Sequence, residues 1–283
     1  MFSEDSARLT NLNGIPFITF PVLERIPFIK HAFSTRYGGV STGIYSSMNL
    51  NHDRGDDPAA VKENYCLVAR ALDTDCSRMV LSDQTHTSNV RVVTEEDAGK
   101  GITCVQDYHD VDGMVTNIPG LMLVTSHADC VPLFFADPVH RAIGMTHSGW
   151  KGTWKRIGKV TVEKMHAEYG SDPKDIIAVI GPSICRDCYE VGEELFTAFR
   201  EEFSEEQCQT FFIPGKPGKY QLDLWEANRL ILEDAGLLPG NITISGLCTS
   251  CHSDLLWSHR KTKGQRGGLC AFLELLPEDT GCE

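Results

Sequence analysis

Two histidines and one cysteine are the residues of this chain whose types could support metal or nucleophilic chemistry. His86 follows a short apolar run, Cys130 comes after the run 121–126, and His147 comes after the run 141–146. Two imidazoles and a thiolate suit Zn²⁺, and three protein ligands leave a fourth position open to water or substrate. The same residues would also suit a metal-free cysteine nucleophile with a histidine base. Spacing does not choose between these sites, because the residues are spread over about sixty positions.

Short strands must position these side chains. The apolar runs 121–126 and 131–136 are short and bounded by Gly, Pro or Asp, which is typical of buried strands. Helices are predicted from Asp56 to Leu72 and from Thr153 to about Tyr169. Strands alternate with helices, no repeat is visible, and no Pro- or Ser-rich linker divides the chain. We therefore predict one α/β (α+β) layered domain with a mixed sheet over residues 1–283, with residues 1–14 as a loose N-terminal extension.

Composition limits the classes of protein to consider. The 283 residues are 41% hydrophobic and 23% charged, which is globular composition. A formal net charge of −13 argues against a nucleic-acid partner, although a local basic pocket for a small phosphate is compatible with it. The eleven cysteines are typical of reduced thiols. No apolar segment has transmembrane length and none has the features of a signal peptide, so we expect no membrane partner and a cytoplasmic location.

A glycine-rich segment, Ser34–Gly43, contains Arg36 and is the first candidate for binding an anion. From spacing alone, a surface turn with a solvated arginine is the favoured interpretation of this segment.

Two cysteine pairs have the spacing of metal ligands. Cys185 and Cys188 form one pair and Cys248 and Cys251 the other, and together they could form a Cys₄ zinc site. The gap between the pairs, residues 189 to 247, is far longer than the roughly 15–20 residues of a zinc ribbon. We therefore favour two unrelated pairs in a cysteine-rich chain.

Several common catalytic motifs are absent from the sequence. It contains no G-x-G-x-x-G after a strand, no G-x-x-x-x-G-K-[ST], no G-x-S-x-G and no H-E-x-x-H. Dinucleotide-binding enzymes, P-loop NTPases, serine hydrolases and zincins are thereby disfavoured.

Motifs along nearly the whole chain resemble one known family. They occur in the order FSTRYGGVS, QTH, ADCVPLFFADP, HSGWKGT, GPSICRDCYEVG and CTS…LLWSHRK. On these motifs the chain resembles the YfiH-type family, which is also labelled polyphenol oxidoreductase laccase or peptidoglycan editing factor.

The resemblance implies a fold similar to the catalytic domain of cytotoxic necrotising factor. It also implies one zinc ion bound by His86, Cys130 and His147, which would be the catalytic residues. The implied activity is zinc-dependent purine nucleoside phosphorylase, with adenosine, inosine, guanosine or methylthioadenosine and phosphate as substrates, and adenosine deaminase activity in some members. Candidate residues for binding substrate or phosphate, or for orienting the ligands, are Arg36, Gln84, Asp129, Lys151 and Arg260.

The sequence departs from the family pattern at some of these positions. Lys151 replaces the usual arginine of HxGWRGT, which keeps the charge but loses the bidentate fork. The usual closing T-G-R-Q is changed to Lys263-Gly264-Gln265-Arg266, which puts a late phosphate contact in doubt. His127 is an additional imidazole, and regular strand alternation predicts that it points away from Cys130.

Other functions stay open from the sequence. One is a Cys–His hydrolase or amidase acting on a cell-wall precursor, and another is a non-catalytic metal-binding protein. A copper-binding polyphenol oxidase is a third alternative, and copper could also replace zinc opportunistically. Multicopper oxidation is disfavoured because such oxidases use paired H-x-H motifs, and none of the ten histidines is two residues from another. The sequence does not determine the oligomeric state.

Overall fold

The computed structural model describes residues 4–278, which form fifteen β-strands and eight α-helices. The strands, β1 to β15 in chain order, are Arg8–Leu12, Ile15–Thr19, Ile29–Ser34, Met79–Leu81, Val90–Val92, Gly113–Thr116, Met122–His127, Val131–Asp137, Ala142–Ser148, Ile177–Ile180, Glu190–Gly192, Phe212–Pro214, Lys219–Leu222, Ile242–Ile244 and Leu269–Leu275. The helices, α1 to α8, are Pro21–Glu24, Pro58–Ala71, Trp150–Trp154, Ile157–Tyr169, Glu193–Phe199, Glu205–Phe211, Leu224–Asp234 and His259–Thr262.

Two six-stranded mixed sheets form the centre of the molecule. The first has the strand order β1-β2-β3-β15-β7-β4 and the second the order β14-β10-β8-β9-β6-β5. Side chains from the two sheets share one apolar core, in which Phe33 and Leu123 of the first sheet lie with Phe134 and Met145 of the second. Every residue of β8 and β9 is buried, since both faces of their sheet are covered. This explains their continuous apolar sequence.

Helices cover the two outer faces. Helix α2 contributes Val61, Tyr65 and Val68 to a core on the outer face of the first sheet. Helices α4 and α7 contribute Val162 and Ile231 to a core on the outer face of the second sheet. Helix α4 ends at Tyr169, as its sequence predicts, and its C-cap Gly170 adopts the left-handed conformation. The order helix, sheet, sheet, helix confirms the predicted mixed α/β layered domain.

Capping residues explain where several helices begin. Asp57 accepts a hydrogen bond from the backbone N–H of Ala59 at the start of α2, and Pro58 occupies the first helical position. Asp223 accepts from the N–H groups of Trp225 and Glu226 at the start of α7. These caps support the helix predicted from Asp56 to Leu72 and explain why α7 begins at Leu224.

The N-terminal segment differs from the prediction. Residues 8–12 are strand β1 rather than part of a loose extension, and they pair antiparallel with β2 in register from Arg8 opposite Thr19 to Leu12 opposite Ile15. Gly14, with φ +93°, makes the turn between them. Only Leu9 and Leu12 of this edge strand are apolar, and their spacing of three does not match the alternation that predicts a strand.

A smaller three-stranded sheet, ordered β11-β13-β12, is formed by strands that lie between β10 and α7 in the sequence. Its apolar residues Val191, Phe212 and Leu222 join the core that α4 and α7 share with the second sheet. Within residues 4–278, no helix has both the length and the apolar character needed to cross a membrane.

Candidate active site

The three candidate ligands converge at the point where the chain passes from one sheet to the other. Strand β7 ends at His127 in the first sheet and β8 begins at Val131 in the second, so Cys130 lies in the connection between them. His147 is near the end of β9, opposite Pro132 of β8. His86 lies in the loop after β4 with φ +66°. One ligand atom of His86, of Cys130 and of His147 all lie within 4.8 Å of one another.

A buried aspartate that the sequence did not single out organises this cluster. Asp112 is fully buried, and its Oδ1 accepts a 2.8 Å hydrogen bond from Nδ1 of His147. The same carboxylate accepts backbone N–H groups from Thr85, His86 and Thr87 at 3.1, 3.1 and 2.7 Å. Asp112 therefore fixes the loop that carries His86 and the ring orientation of His147 together.

The charges within the cluster reinforce one another. Burial opposes ionisation of the Cys130 thiol, but interactions with His147 and His86 outweigh it and lower the pKa of the thiol to about 6. Burial likewise disfavours protonation of His147, but the Cys130 thiolate and Asp112 raise the pKa of His147 to about 9. The site thus stabilises the thiolate, which is the form of cysteine that binds metals and attacks electrophiles.

Gly149 leaves room beside the cluster. A Cβ atom at this position would lie 2.9 Å from Sγ of Cys130 and 3.2 Å from Cδ2 of His86. The glycine of the HSGW motif is therefore required by close approach to the cluster and not by its φ of −68°.

The cluster opens into a cleft of about 770 Å³. Its walls come from both sheets and from the loops after β3, β4, β10 and β14. In addition to the cluster itself, the residues that line the cleft include Arg54, Gln84, His127, Asp129, Trp150, Ile184, Tyr189, His259, Arg260 and Arg266.

Basic side chains converge on this cleft although the whole chain is acidic. Arg266 is only 7% exposed, and its Nε has no hydrogen-bond partner among the described residues. Its one hydrogen bond runs from Nη1 to the carbonyl of Gly267 at 2.8 Å. Burial and the neighbouring Arg54 lower the pKa of Arg266 to about 10. Burial, Arg266 and Arg54 also lower the pKa of His259. A buried guanidinium with a free donor, beside further cations, suits an anionic ligand.

Asp129 and Arg260, both predicted from sequence, lie together in the wall of the cleft. Asp129 adopts φ +83° and accepts the hydroxyl of Thr249 and the backbone N–H of Arg260, each at 2.6 Å. The guanidinium of Arg260 donates to the carbonyl of Glu190 at 2.9 Å and lies 5.0 Å from the ring centroid of Tyr189. Asp129 thus connects the turn before Cys130 to the segments that contain Thr249 and Arg260.

Gln84 also lies in the cleft wall, where it joins two ligand-bearing segments. Its Nε2 donates to the carbonyl of Ser126 at 2.7 Å and its Oε1 accepts the N–H of Ser126 at 2.6 Å. The loop that carries His86 is thereby attached to β7, the strand that leads to Cys130.

Two other predicted residues do not line the cleft. Arg36 donates to the carbonyls of Ser253 and Ser46 at 2.8 and 3.3 Å, and its guanidinium lies 3.9 Å from the ring centroid of Trp257. These contacts satisfy it within the fold. Lys151 is exposed, with its ammonium 5.6 Å from the ring centroid of Trp150. The structure therefore does not bring Arg36 or Lys151 together with the other candidates.

The expectation for His127 was wrong. Its Nδ1 lies 3.2 Å from the Cys130 carbonyl oxygen, its ring centroid lies 5.4 Å from that of His147, and it lines the cleft. Regular alternation stops at the end of β7, and the turn at Asp129 redirects the chain, so facing cannot be extrapolated from His127 to Cys130. Burial and the charge of His147 hold the pKa of His127 well below its usual value.

Sequence reasoning missed Asp112, Arg54 and Tyr189, and it left Arg266 as a doubtful contact. Asp112 stands before a glycine and looks like a turn residue, and only the pairing of β6 with β9 places it beneath His147. Arg266 stands in a polar run that departs from the family pattern, so no motif marked it.

The prediction that the two cysteine pairs are unrelated was wrong, because the structure brings the pairs together. One sulfur atom each from Cys185, Cys188, Cys248 and Cys251 lie within 4.8 Å of one another.

Comparisons with known proteins agree with this fold. A family described as "Multi-copper polyphenol oxidoreductase laccase" matches residues 30–276. The chain is 40% identical over 250 residues to "Purine nucleoside phosphorylase YlmD" of Bacillus subtilis, covering 85% of this chain and 86% of that protein. It is 35% identical over 246 residues to "Adenosine deaminase RL5" of an unknown prokaryotic organism, covering 84% and 93%. The crystal structure of Bacillus licheniformis YfiH superposes with a TM-score of 0.88 at 35% identity, covering 95% and 98%. The resemblance found in the sequence motifs is confirmed, and the chain belongs to the multi-copper polyphenol oxidoreductase laccase family, to which its YfiH-type motifs assigned it.

Proposed function

We propose that this protein is a zinc-dependent purine nucleoside phosphorylase. The observation that carries the proposal is that one cleft contains both the His86–Cys130–His147 cluster and the buried, incompletely paired Arg266. The first supplies a metal site and the second an anion site, as cleavage of a nucleoside by phosphate requires. The name of the Bacillus subtilis relative supports the same activity.

The residues of the cluster fit zinc. Two imidazole nitrogens and one thiolate are a common donor set for a catalytic zinc site with an open position. Because Nδ1 of His147 is bonded to Asp112, Nε2 is left as its ligand atom, and a carboxylate behind a ligating histidine is the usual arrangement. When bound, zinc would supply Lewis acidity at its open position.

In this proposal, phosphate binds at the end of the cleft that contains Arg54, His259 and Arg266. Nε of Arg266 is a buried donor that phosphate oxygens would satisfy, and Arg54 and His259 lie close enough to influence one another electrostatically. Arginine donors match phosphate geometry and bind it through charge-assisted hydrogen bonds. Arg266 thus replaces Arg36 as the first candidate for the phosphate contact.

The reaction needs phosphate and nucleoside held in one orientation. A phosphate oxygen forms a bond to C1′ of the ribose as the bond from C1′ to the purine nitrogen breaks. The electron pair leaves with the base, which takes up a proton. The transition state resembles an oxocarbenium ion, so a bound phosphate dianion beside C1′ stabilises the developing positive charge. Tyr189 and Trp150, which line the cleft, offer aromatic faces to a purine.

Adenosine deamination is a second candidate that the same cleft supports. The relative named adenosine deaminase matches this chain almost as extensively as the phosphorylase does. Deamination uses water in place of phosphate, so it requires the metal cluster but not Arg266. The two activities are therefore separable by their dependence on phosphate.

Cytoplasmic location is part of the proposal. The ten cysteines within the described residues are free thiols, which persist in reducing compartments.

Chromatographic assays on adenosine and inosine, with and without phosphate, test the proposal. The wild-type protein should release free base only with phosphate, and Cys130→Ala should lose both this activity and one zinc equivalent. Inosine formed from adenosine without phosphate would assign deamination instead. Absence of nucleoside turnover in zinc-loaded protein would contradict both activities. Turnover that survives chelation but is lost on thiol alkylation would indicate a Cys–His enzyme.

A further inference from the structure

Four cysteines converge outside the active-site cluster. Cys188 Sγ lies 3.5 Å from Cys251 Sγ, and both lie within 4.8 Å of the sulfurs of Cys185 and Cys248. Four thiolates at Zn–S distances of about 2.3 Å from one tetrahedral ion would be about 3.8 Å apart. The observed separations are therefore close to those of a Cys₄ site and require only small movements.

The sheet topology explains how distant pairs come together. Strands β10 and β14 are parallel neighbours in the second sheet, with Ile180 opposite Ile244. Cys185 follows the end of β10 and Cys248 follows the end of β14, so both cysteine loops leave the same edge of the sheet. A parallel bridge between Ser183 and Cys248 extends the pairing beyond the strands. The long gap between the pairs is the crossover connection that parallel strands require.

Backbone donors are already directed at one of the sulfurs. The N–H of Cys185 lies 3.3 Å and the N–H of Cys251 lies 3.4 Å from Sγ of Cys248. The bond from the N–H of Cys251 to Sγ of Cys248 lies within one C-x-x-C loop. It directs the sulfurs of both cysteines toward the same side.

From this geometry we propose that Cys185, Cys188, Cys248 and Cys251 bind a second zinc ion with a structural role. Four protein ligands close the coordination sphere, which is typical of structural rather than catalytic zinc. A disulfide between Cys188 and Cys251 would use only two of the four sulfurs, whereas one metal ion uses all four. The site is separate from the His86–Cys130–His147 cluster, so it does not depend on the proposed activity.

The second zinc would hold one wall of the active-site cleft. Ile184 and Tyr189, on either side of the first cysteine pair, line the cleft. Thr249, inside the second pair, donates to the carboxylate of Asp129. A metal that joins the two loops therefore fixes the segments that support Asp129 and Arg260.

Zinc content of the full-length chain, measured by elemental analysis after purification without chelators, tests this proposal. We expect two zinc ions per chain in the wild type and one in the Cys188→Ser/Cys251→Ser variant. Cys104→Ser removes an exposed cysteine from outside both groups and should retain two. Cys130→Ala should retain one zinc, bound by the four cysteines, although it loses the active-site ion.

X-ray absorption at the zinc edge of Cys130→Ala provides a second measurement that does not depend on the cysteine variants folding. We expect four sulfur neighbours at about 2.3 Å. One zinc per chain in the wild type, unaffected by the double cysteine substitution, would overturn the proposal. A zinc edge dominated by nitrogen and oxygen neighbours, or a non-reduced mass lower by two hydrogens with no bound metal, would overturn it as well.

Discussion

Asp112 and His147 are joined by a 2.8 Å hydrogen bond between carboxylate Oδ1 and ring Nδ1, and both residues are buried. The other oxygen of Asp112 accepts the N–H of Thr87 and that of Thr85. One carboxylate therefore orients a ligand on β9 and holds the loop that carries His86. The pKa of Asp112 is lowered because its bonds to His147 and the loop outweigh its burial, which keeps it ionised.

Asp112→Asn should weaken zinc binding at the active-site cluster by about tenfold to a hundredfold. The side chain of asparagine has one oxygen that accepts and one NH₂ group that donates. Whether the NH₂ group faces Nδ1 of His147 or the loop N–H groups, two donors then face each other, so one set of hydrogen bonds is lost. Competition with a chromophoric chelator measures the affinity. Asp97→Asn is the matched control, because Asp97 is also buried and paired but contacts Arg91 and Lys100. Equal zinc affinity in wild type and Asp112→Asn would contradict the role given to Asp112.

Gly149→Ala should disrupt the cluster while leaving the fold intact. The added Cβ would meet Cys130 Sγ at 2.9 Å, and the backbone φ of −68° itself tolerates alanine. We expect loss of the active-site zinc and of activity, with a melting temperature close to that of Cys130→Ala, which lacks the same ion. Gly240→Ala is the control, because nothing lies within 4 Å of its Cβ position. Full zinc occupancy in Gly149→Ala would show that the cluster has room the structure does not indicate.

The cluster was predictable from sequence because its three residues lie in motifs that resemble those of a known family. Asp112 and Arg266 were not, since one depends on strand pairing across the sheet and the other on burial of a polar run. Arg36, in contrast, was a candidate from the sequence that the structure places away from the cluster. Its glycine-rich surroundings suggested an anion site, but its Nη1 and Nη2 donate to the carbonyls of Ser253 and Ser46, and it does not line the cleft.

The cysteine pairs show the same limitation. The long separation of the two pairs in the sequence argued against a shared site. However, β10 and β14 are adjacent parallel strands, and their ends bring the two distant loops together. Separation along the chain carries little information once a parallel crossover lies between two segments. Strand order, which the sequence did not determine, was the missing information.

Arg266→Gln should raise the KM for phosphate by about tenfold to a hundredfold, since a hydrogen bond to a charged group contributes about 1.5–3 kcal/mol. The KM for the nucleoside should change much less, because Arg266 is proposed to contact phosphate alone. Steady-state kinetics with each substrate varied in turn measures both constants. Arg200→Gln, which alters an exposed arginine paired with Glu205, should change neither. Equal increases in both constants would indicate a general structural effect instead.

His31 should make stability depend on pH. It is buried, and its Nε2 accepts the backbone N–H of Phe20 at 2.8 Å, which requires the neutral ring. Burial lowers the pKa of His31 from 6.5 to about 4. Between these values the unfolded chain binds the additional proton, so the free energy of unfolding falls as the pH decreases, by about 3 kcal/mol in total.

Urea unfolding at pH 7.5 and at pH 4.5 measures this effect in the wild type and in His31→Gln, which retains an acceptor for Phe20. The loss of stability on acidification should be smaller in the variant, since contributions from other groups are common to both proteins. The same loss in both would mean that His31 is not held neutral by the fold.

If the cleft uses phosphate to cleave a nucleoside, the two products and the phosphate consumed must have a fixed stoichiometry. With inosine and inorganic phosphate, zinc-loaded protein should form hypoxanthine and ribose 1-phosphate in equal amounts, with phosphate consumed one for one. Base released together with free ribose at an unchanged rate when phosphate is omitted would contradict the claim, because water and not phosphate would then be the nucleophile.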